Sequence, residues 1–279
     1  MILSKESDYK TMVLFFVVSV VIVILYLGFY LAGIIQLIED LSWGLIHRTL
    51  ILNSLLLVTT VFGILILYGK LQGRDVGLVV KRLPIAIAIG LVTWILVQII
   101  EGIMGYVGMG SIELNQQWNT EGLALIGLLI GMLFGTALYE EVGYRGFFLI
   151  QFSMRMKRVV ENKYLQVIIA LIISQALFTI LHIPWKVMNQ GWTIIVLQEL
   201  LFSVFMNGVI YGLLYLRTGN LFFVMIVHAL GNAPTSLVNP VIEPSNILLL
   251  IAIIWAVIWP KLQRWERNST IQSAADSNN

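Results

Sequence analysis

Long uninterrupted apolar runs, rather than two-residue alternation or a one-sided helical stripe, set the pattern of this chain. Eight of them are separated by short polar connections: Met12–Ile38, Leu50–Tyr68, Leu83–Met109, Gly122–Tyr139, Tyr164–Ile183, Trp192–Leu216, Leu221–Val238 and Ile247–Trp259. About 20 apolar residues of helix cross the ~30 Å hydrocarbon core of a bilayer, so the runs predict transmembrane helices. Met12–Ile38 follows Lys5 and Lys10 as a secretory signal would. It is roughly twice the length of a signal's apolar core, however, and reads as a first spanning helix. The last run is only about 20 Å long as a helix, so it is expected to extend into Val241–Asn246 or to sit in a thinned bilayer.

Composition turns this pattern into a class. Of 279 residues, 59% are hydrophobic and 11% charged, too few charges to cover a soluble globule. The expectation is an all-α, polytopic protein of the cell membrane with eight transmembrane helices. Residues 1–267 form one helical domain, followed by a polar, disordered tail at 268–279. Membrane lipids are then obligatory partners, and nucleic acid is not expected. There is no Cys, which excludes disulfides and thiolate metal sites. Of the 17 Lys and Arg, all but Arg48 and Lys186 fall at the termini or in connections on one alternating side. Cytoplasmic connections collect cations, so both termini are expected in the cytoplasm with an even number of spans.

Against that background three charged residues stand out, Glu140, Glu141 and Arg145. An ionised group deep in a bilayer costs about 2.5–3.5 kcal/mol even on the mildest scale, so three together imply pairing, a wet cavity, or both. Three further polar residues interrupt later runs: His182, His228 and Asn232. Residues four apart share a helix face, so His228 and Asn232 address one point, as do Glu141 and Arg145, and Phe178 walls the His182 imidazole. A lone membrane His is ordinarily a helix–helix hydrogen bond; two His, two Glu, Arg and Asn on three spans read as one site. A sheltered carboxylate beside an imidazole suits water activation, and an amide with a second imidazole can donate to an oxyanion. Cys is absent, and no Ser lies within the stretches 140–145, 178–182 and 228–232. Zinc is the competing chemistry, with Glu140, His182 and His228 as ligands, although the HExxH string of zincins is missing. Glu101, Gln175, Glu199 and Asn207 read as interhelical hydrogen-bonding groups, and His47 as a solvated loop residue.

In order along the chain, Glu140-Glu141-x-x-x-Arg145, Phe178-x-x-x-His182 and His228-x-x-x-Asn232 resemble the motifs of the CAAX prenyl protease and bacteriocin-processing family, also called Abi or type II CAAX proteases. The motif core covers 122–238; the first three runs carry no motif of the family. The resemblance implies intramembrane endoproteolysis of a hydrophobic or lipidated peptide or protein, such as a CAAX-type protein, a bacteriocin or a pheromone propeptide, without a metal cofactor. Glu140 would activate water with His182, His228 and Asn232 would form the oxyanion site, and Glu141, Arg145 and Phe178 would support them. Two readings from other classes stay open, a non-catalytic bacteriocin immunity or scaffold protein and a proton-coupled transporter. A polar cavity is expected to open to the cytoplasmic leaflet or sideways to lipid. The motifs also make a demand on depth. If the fourth helix stopped at Tyr139, Glu140 would lie some 27 Å from His182; the helix must therefore run on, or break at Gly143 or Gly146. Even then His182 is expected too far outward unless its helix tilts.

Overall fold

The structure, a computed structural model, describes residues 4–233 and 235–276, with side chains as far as Leu262. In chain order the helices are α1 (Tyr9–Leu31), the short α2 (Ile34–Leu41), α3 (Arg48–Tyr68), α4 (Val80–Met109), α5 (Gln117–Met156), α6 (Lys163–Gln190), α7 (Ile194–Thr218), α8 (Leu221–Asn232) and α9 (Pro244–Asp276). Seven of these are long and apolar enough to cross a membrane; α2 and α8 are not. The protein is an all-helical, multi-pass integral membrane protein. Among the described residues the β contact is a single antiparallel bridge, Leu114 to Val238. The expected polar tail at 268–279 falls largely outside what the side chains describe, and residues 277–279 lie outside the described residues.

Helix starts follow from short polar side chains that take up free backbone N–H groups, each worth about 1 kcal/mol. Asp8 caps α1 by accepting from Thr11 N at 2.6 Å, Asn162 caps α6, and Asn220 caps α8. The first apolar run breaks at Gly33, whose φ of 74° ends the helix, and α2 is a separate element. Along α1, Val13, Val17, Val21 and Leu25 are exposed while Met12, Phe15, Ser19, Ile22 and Tyr26 are buried. This distribution is apolar outward and partly polar inward, the reverse of a soluble bundle. Polar groups inside are consumed internally: Tyr139 Oη donates to Ser19 Oγ at 2.8 Å, and Ser19 donates to Phe15 O at 2.7 Å.

The helix α5 packs on α3 through glycines four apart. A Cβ at Gly127 would strike the carbonyls of Gly44 and Leu45, one at Gly131 would strike Thr49 Oγ1, and one at Gly135 would meet the Thr49 carbonyl at 3.1 Å. Small residues at this spacing let membrane helices approach closely. Asn53 Nδ2 donates to Thr136 Oγ1 across the seam at 3.0 Å. Farther along, Gly146 lies so close to the Val76 carbonyl that no side chain fits there.

The fourth run does not stop at Tyr139. Its helix continues to Met156, which removes the depth conflict: Glu140 precedes Met156 by 16 residues and His182 follows Lys163 by 19, about 24 and 28 Å from the same end of the bundle at 1.5 Å per residue. No strong tilt is needed. Arg145, counted above among the connection cations, is fully buried on this helix.

The seventh run departs most from expectation. Leu221–Val238 was expected as a continuous helix, yet α8 has 12 residues, about 18 Å. It ends because Ala233 turns extended, with φ −115° and ψ 95°. Residues 235–239 then form a strap held by the α4–α5 connection. Asn115 N donates to Leu237 O at 3.0 Å and Asn239 N to Glu113 O at 2.8 Å, while Leu237 N donates to Gln98 Oε1 at 2.7 Å. At the other end Asn220 Nδ2 donates to Arg82 O at 2.9 Å, and Arg82 reaches the Gly219 carbonyl. Helix and strap together therefore run the length of α4.

Candidate active site

Glu140 sits between two π-helical stretches, Gly131–Ala137 and Glu141–Leu149, whose wider turns recur at functional sites. Adjacent positions diverge around the helix, so the two carboxylates serve different surroundings. Glu140 faces a cavity; Glu141 faces the packed interior and is wholly buried.

Two imidazoles from separate helices converge on Glu140. His182 Nε2 lies 3.6 Å from Oε1 and His228 Nε2 lies 3.6 Å from Oε2. Their orientation is fixed from behind. His182 Nδ1 is 2.9 Å from the Phe178 carbonyl, which can only accept, so Nδ1 carries a proton and Nε2 is the nitrogen turned toward Glu140. His228 Nδ1 is 2.8 Å from Glu141 Oε1, which gives the same tautomer. With both rings neutral, three acceptors face one another across gaps of 3.6 Å, and a water between them donates its two protons to two of the three.

Behind the triad stands a buried ion pair, Arg145 Nη1 to Glu141 Oε1 at 3.2 Å. Arg145 Nη2 donates to Gly208 O at 3.1 Å. Its guanidinium lies 4.8 Å from the Phe178 ring and 5.8 Å from the Tyr211 ring. Phe178 also packs on His182, with ring centres 4.5 Å apart. Arg145 therefore neutralises Glu141, and Glu141 in turn orients His228.

Of the residues expected at the site, Glu140, Glu141, Arg145, Phe178, His182 and His228 come together. Asn232 does not join them directly: it is exposed at the last turn of α8 and makes no hydrogen bond to the cluster among the described residues. Tyr211 was not anticipated. Its ring stacks on His228 at 4.7 Å and 21°, and a tyrosine within an apolar run gives no signal that it differs from core. Glu199 pairs with Lys186 of the neighbouring helix at 2.5 Å, whereas Glu101 accepts from Ser236 of the strap at 3.0 Å. His47 is half-buried rather than solvated and caps α3, accepting from Thr49 N.

A cavity of about 230 Å³ meets Glu140 and His182 and extends past Tyr26 and Asn53 to Arg48 and Trp185. It thus reaches toward the end of the bundle away from the basic connections, where an opening to the cytoplasmic leaflet was expected. A larger groove of about 820 Å³ runs between α4, α5 and α8. Its lining includes Met225, Ile226 and Leu230 but no ionisable side chain, and Ile226 and Leu230 lie on the helix face opposite His228, at 100° per residue. The ionisable pair Glu140 and His182 borders the smaller cavity.

Two imidazole nitrogens and a carboxylate are donor types that zinc accepts. As arranged, however, no three His, Asp or Glu side chains among the described residues are placed to hold a metal ion.

Neither curated proteins nor solved structures provide a match to the chain. Residues 122–234 match the family described as Type II CAAX prenyl endopeptidase Rce1-like. That segment contains every site residue from Glu140 to Asn232, while α1 to α4 and α9 lie outside it. The helical core that carries Glu140, His182 and His228 is thus similar to the Rce1-like type II CAAX prenyl endopeptidases.

Proposed function

We propose that this protein is an intramembrane endopeptidase that hydrolyses a peptide bond of a hydrophobic or lipidated substrate with water activated by Glu140. The observation that carries the reading is the convergence of His182 Nε2 and His228 Nε2 on the two oxygens of Glu140, each at 3.6 Å. Water held there gives a proton to the Glu140 carboxylate as its oxygen attacks the scissile carbonyl carbon. The carbonyl π electrons move onto oxygen, making an oxyanion on the His228 side, toward Asn232. When the C–N bond breaks, the proton on Glu140 passes to the departing nitrogen, leaving a carboxylic acid and an amine. His182 holds the water and shares its proton; Arg145 and Glu141 keep His228 in place. Zinc bound by Glu140, His182 and His228 stays the alternative, since these side chains are donor types that zinc accepts, and metal analysis of the purified, active protein decides between the two.

The same reading includes eight crossings with both termini on one side. Support comes from α8 and its strap, which span the length of α4, and from the N-terminal segment. Ser4 Oγ donates to Asp75 O at 2.8 Å and Gln151 Nε2 to Lys5 O at 2.9 Å, which ties that segment to the end of the bundle holding the basic connections.

The test is cleavage of an internally quenched, farnesylated CAAX-type peptide by purified protein in lipid nanodiscs. Wild type is expected to cut it. Glu140→Gln keeps the shape and removes the base, and is expected to cut at least about 10²-fold more slowly; a variant as active as wild type overturns the assignment.

A further inference from the structure

We infer that the Tyr211 hydroxyl is a third hydrogen-bond donor to the oxyanion, acting beside His228 and Asn232; the inference rests on the hydrolytic reading above. Tyr211 lies on α7, outside all three motifs. Its ring is nearly parallel to the His228 imidazole, 4.7 Å away, with the Arg145 guanidinium 5.8 Å from its centre on the way to Glu141. The hydroxyl lies 3.3 Å from the point where a Cβ on Gly231 would stand. Gly231 is three residues beyond His228 and one before Asn232, so the phenol reaches the turn of α8 that separates the two expected donors. Among the described residues this hydroxyl makes no hydrogen bond, although the ring around it is packed.

The proton inventory shows why such a donor is needed. His228 donates its Nδ1–H to Glu141 Oε1 in a hydrogen bond, so its Nε2 donates only when the ring carries a second proton. Asn232 is exposed and not held in place by the cluster. A phenol keeps its proton at neutral pH, so Tyr211 offers an O–H whatever the state of His228. Glycine at 231 leaves room for it, because a methyl group there would press on the hydroxyl.

The experiment compares wild type, Tyr211→Phe, Tyr211→Leu and Glu140→Gln on the farnesylated quenched peptide in nanodiscs, with kcat and KM measured separately. Tyr211→Phe keeps the stacked ring and removes only the hydroxyl. Its kcat is expected to fall on the order of 10²-fold, as when an oxyanion donor is removed elsewhere, with KM within about twofold of wild type. Wild-type kcat in Tyr211→Phe alongside a loss in Tyr211→Leu means the ring only packs, and overturns the inference. Wild-type rates in both variants overturn it equally. If wild type leaves the peptide intact, or Glu140→Gln cuts it normally, the hydrolytic reading itself fails and this inference falls with it.

Discussion

Replacing Arg145 with methionine probes the buried electrostatics most directly. Arg145 and Glu141 are both fully buried and 3.2 Å apart, a separation that gives about 5 kcal/mol of attraction at an effective dielectric of about 20. Arg145→Met fills similar volume between Phe178 and Tyr211 but strands the buried Glu141 carboxyl without its counter-charge, with His228 Nδ1 beside it. Breaking a buried pair this way costs about 3–5 kcal/mol, or roughly 6–20 °C in melting temperature for a chain of this size. Adding Glu141→Gln removes the stranded charge and still offers His228 an oxygen acceptor. The double variant is therefore expected to regain most of the lost stability. Thermal unfolding of the wild type, both single variants and the double variant in one detergent measures the coupling. An Arg145→Met protein melting within about 2 °C of wild type, or a double variant no more stable than Arg145→Met alone, refutes the view that charge balance governs this part of the core.

Two further outcomes follow from the fold. Burial holds the His47 imidazole below its ordinary range, against the opposing charge of Glu39. With the folded value depressed, the unfolded chain binds the extra proton more readily, so stability is full above about pH 6.5 and falls as the pH drops through the folded value. His47→Asn keeps a capping side chain without a titration, and is expected to lose less stability than wild type between pH 7.5 and 5.5; matching pH profiles would count against the cap. At the α3–α5 seam, Gly131→Leu must push against Thr49 and is expected to lower the melting temperature by roughly 5–10 °C. Gly28→Leu, where an added Cβ meets nothing within 4 Å, serves as the control and is expected to melt like wild type.

Much of the site was legible because its residues are expensive in lipid. Glu140, Glu141, Arg145, His182 and His228 each violate the apolar pattern, and motif spacing alone placed Glu141 with Arg145 on one face. The continuation of α5 past Tyr139 was also deducible, since Phe147, Phe148 and Leu149 keep the run apolar. Other features were hidden for physical reasons. Tyr211 costs little in an apolar segment, so composition does not mark it. The shortness of α8 depends on hydrogen bonds donated to Gln98 Oε1 and the Glu113 carbonyl and one donated by Asn115 N, residues more than a hundred positions away in sequence. His47 looked like a loop residue because its burial depends on Glu39 from a neighbouring helix. Asn232 kept the right spacing to His228, yet spacing says nothing about whether the end of a helix is held against the site.

The shortness of α8 has a consequence for how the protein is made. A 12-residue helix of about 18 Å cannot bridge a ~30 Å hydrocarbon layer by itself, and unpaired backbone groups in the strap are not tolerated in lipid. The segment carrying His228 thus enters the bilayer stably only once α4 and its following connection stand ready to receive it, with α9 emerging behind. Glu140 and His182 are already embedded by then, but without their second imidazole. On the proposed mechanism, the pair of imidazoles that meets Glu140 is complete only once this segment docks.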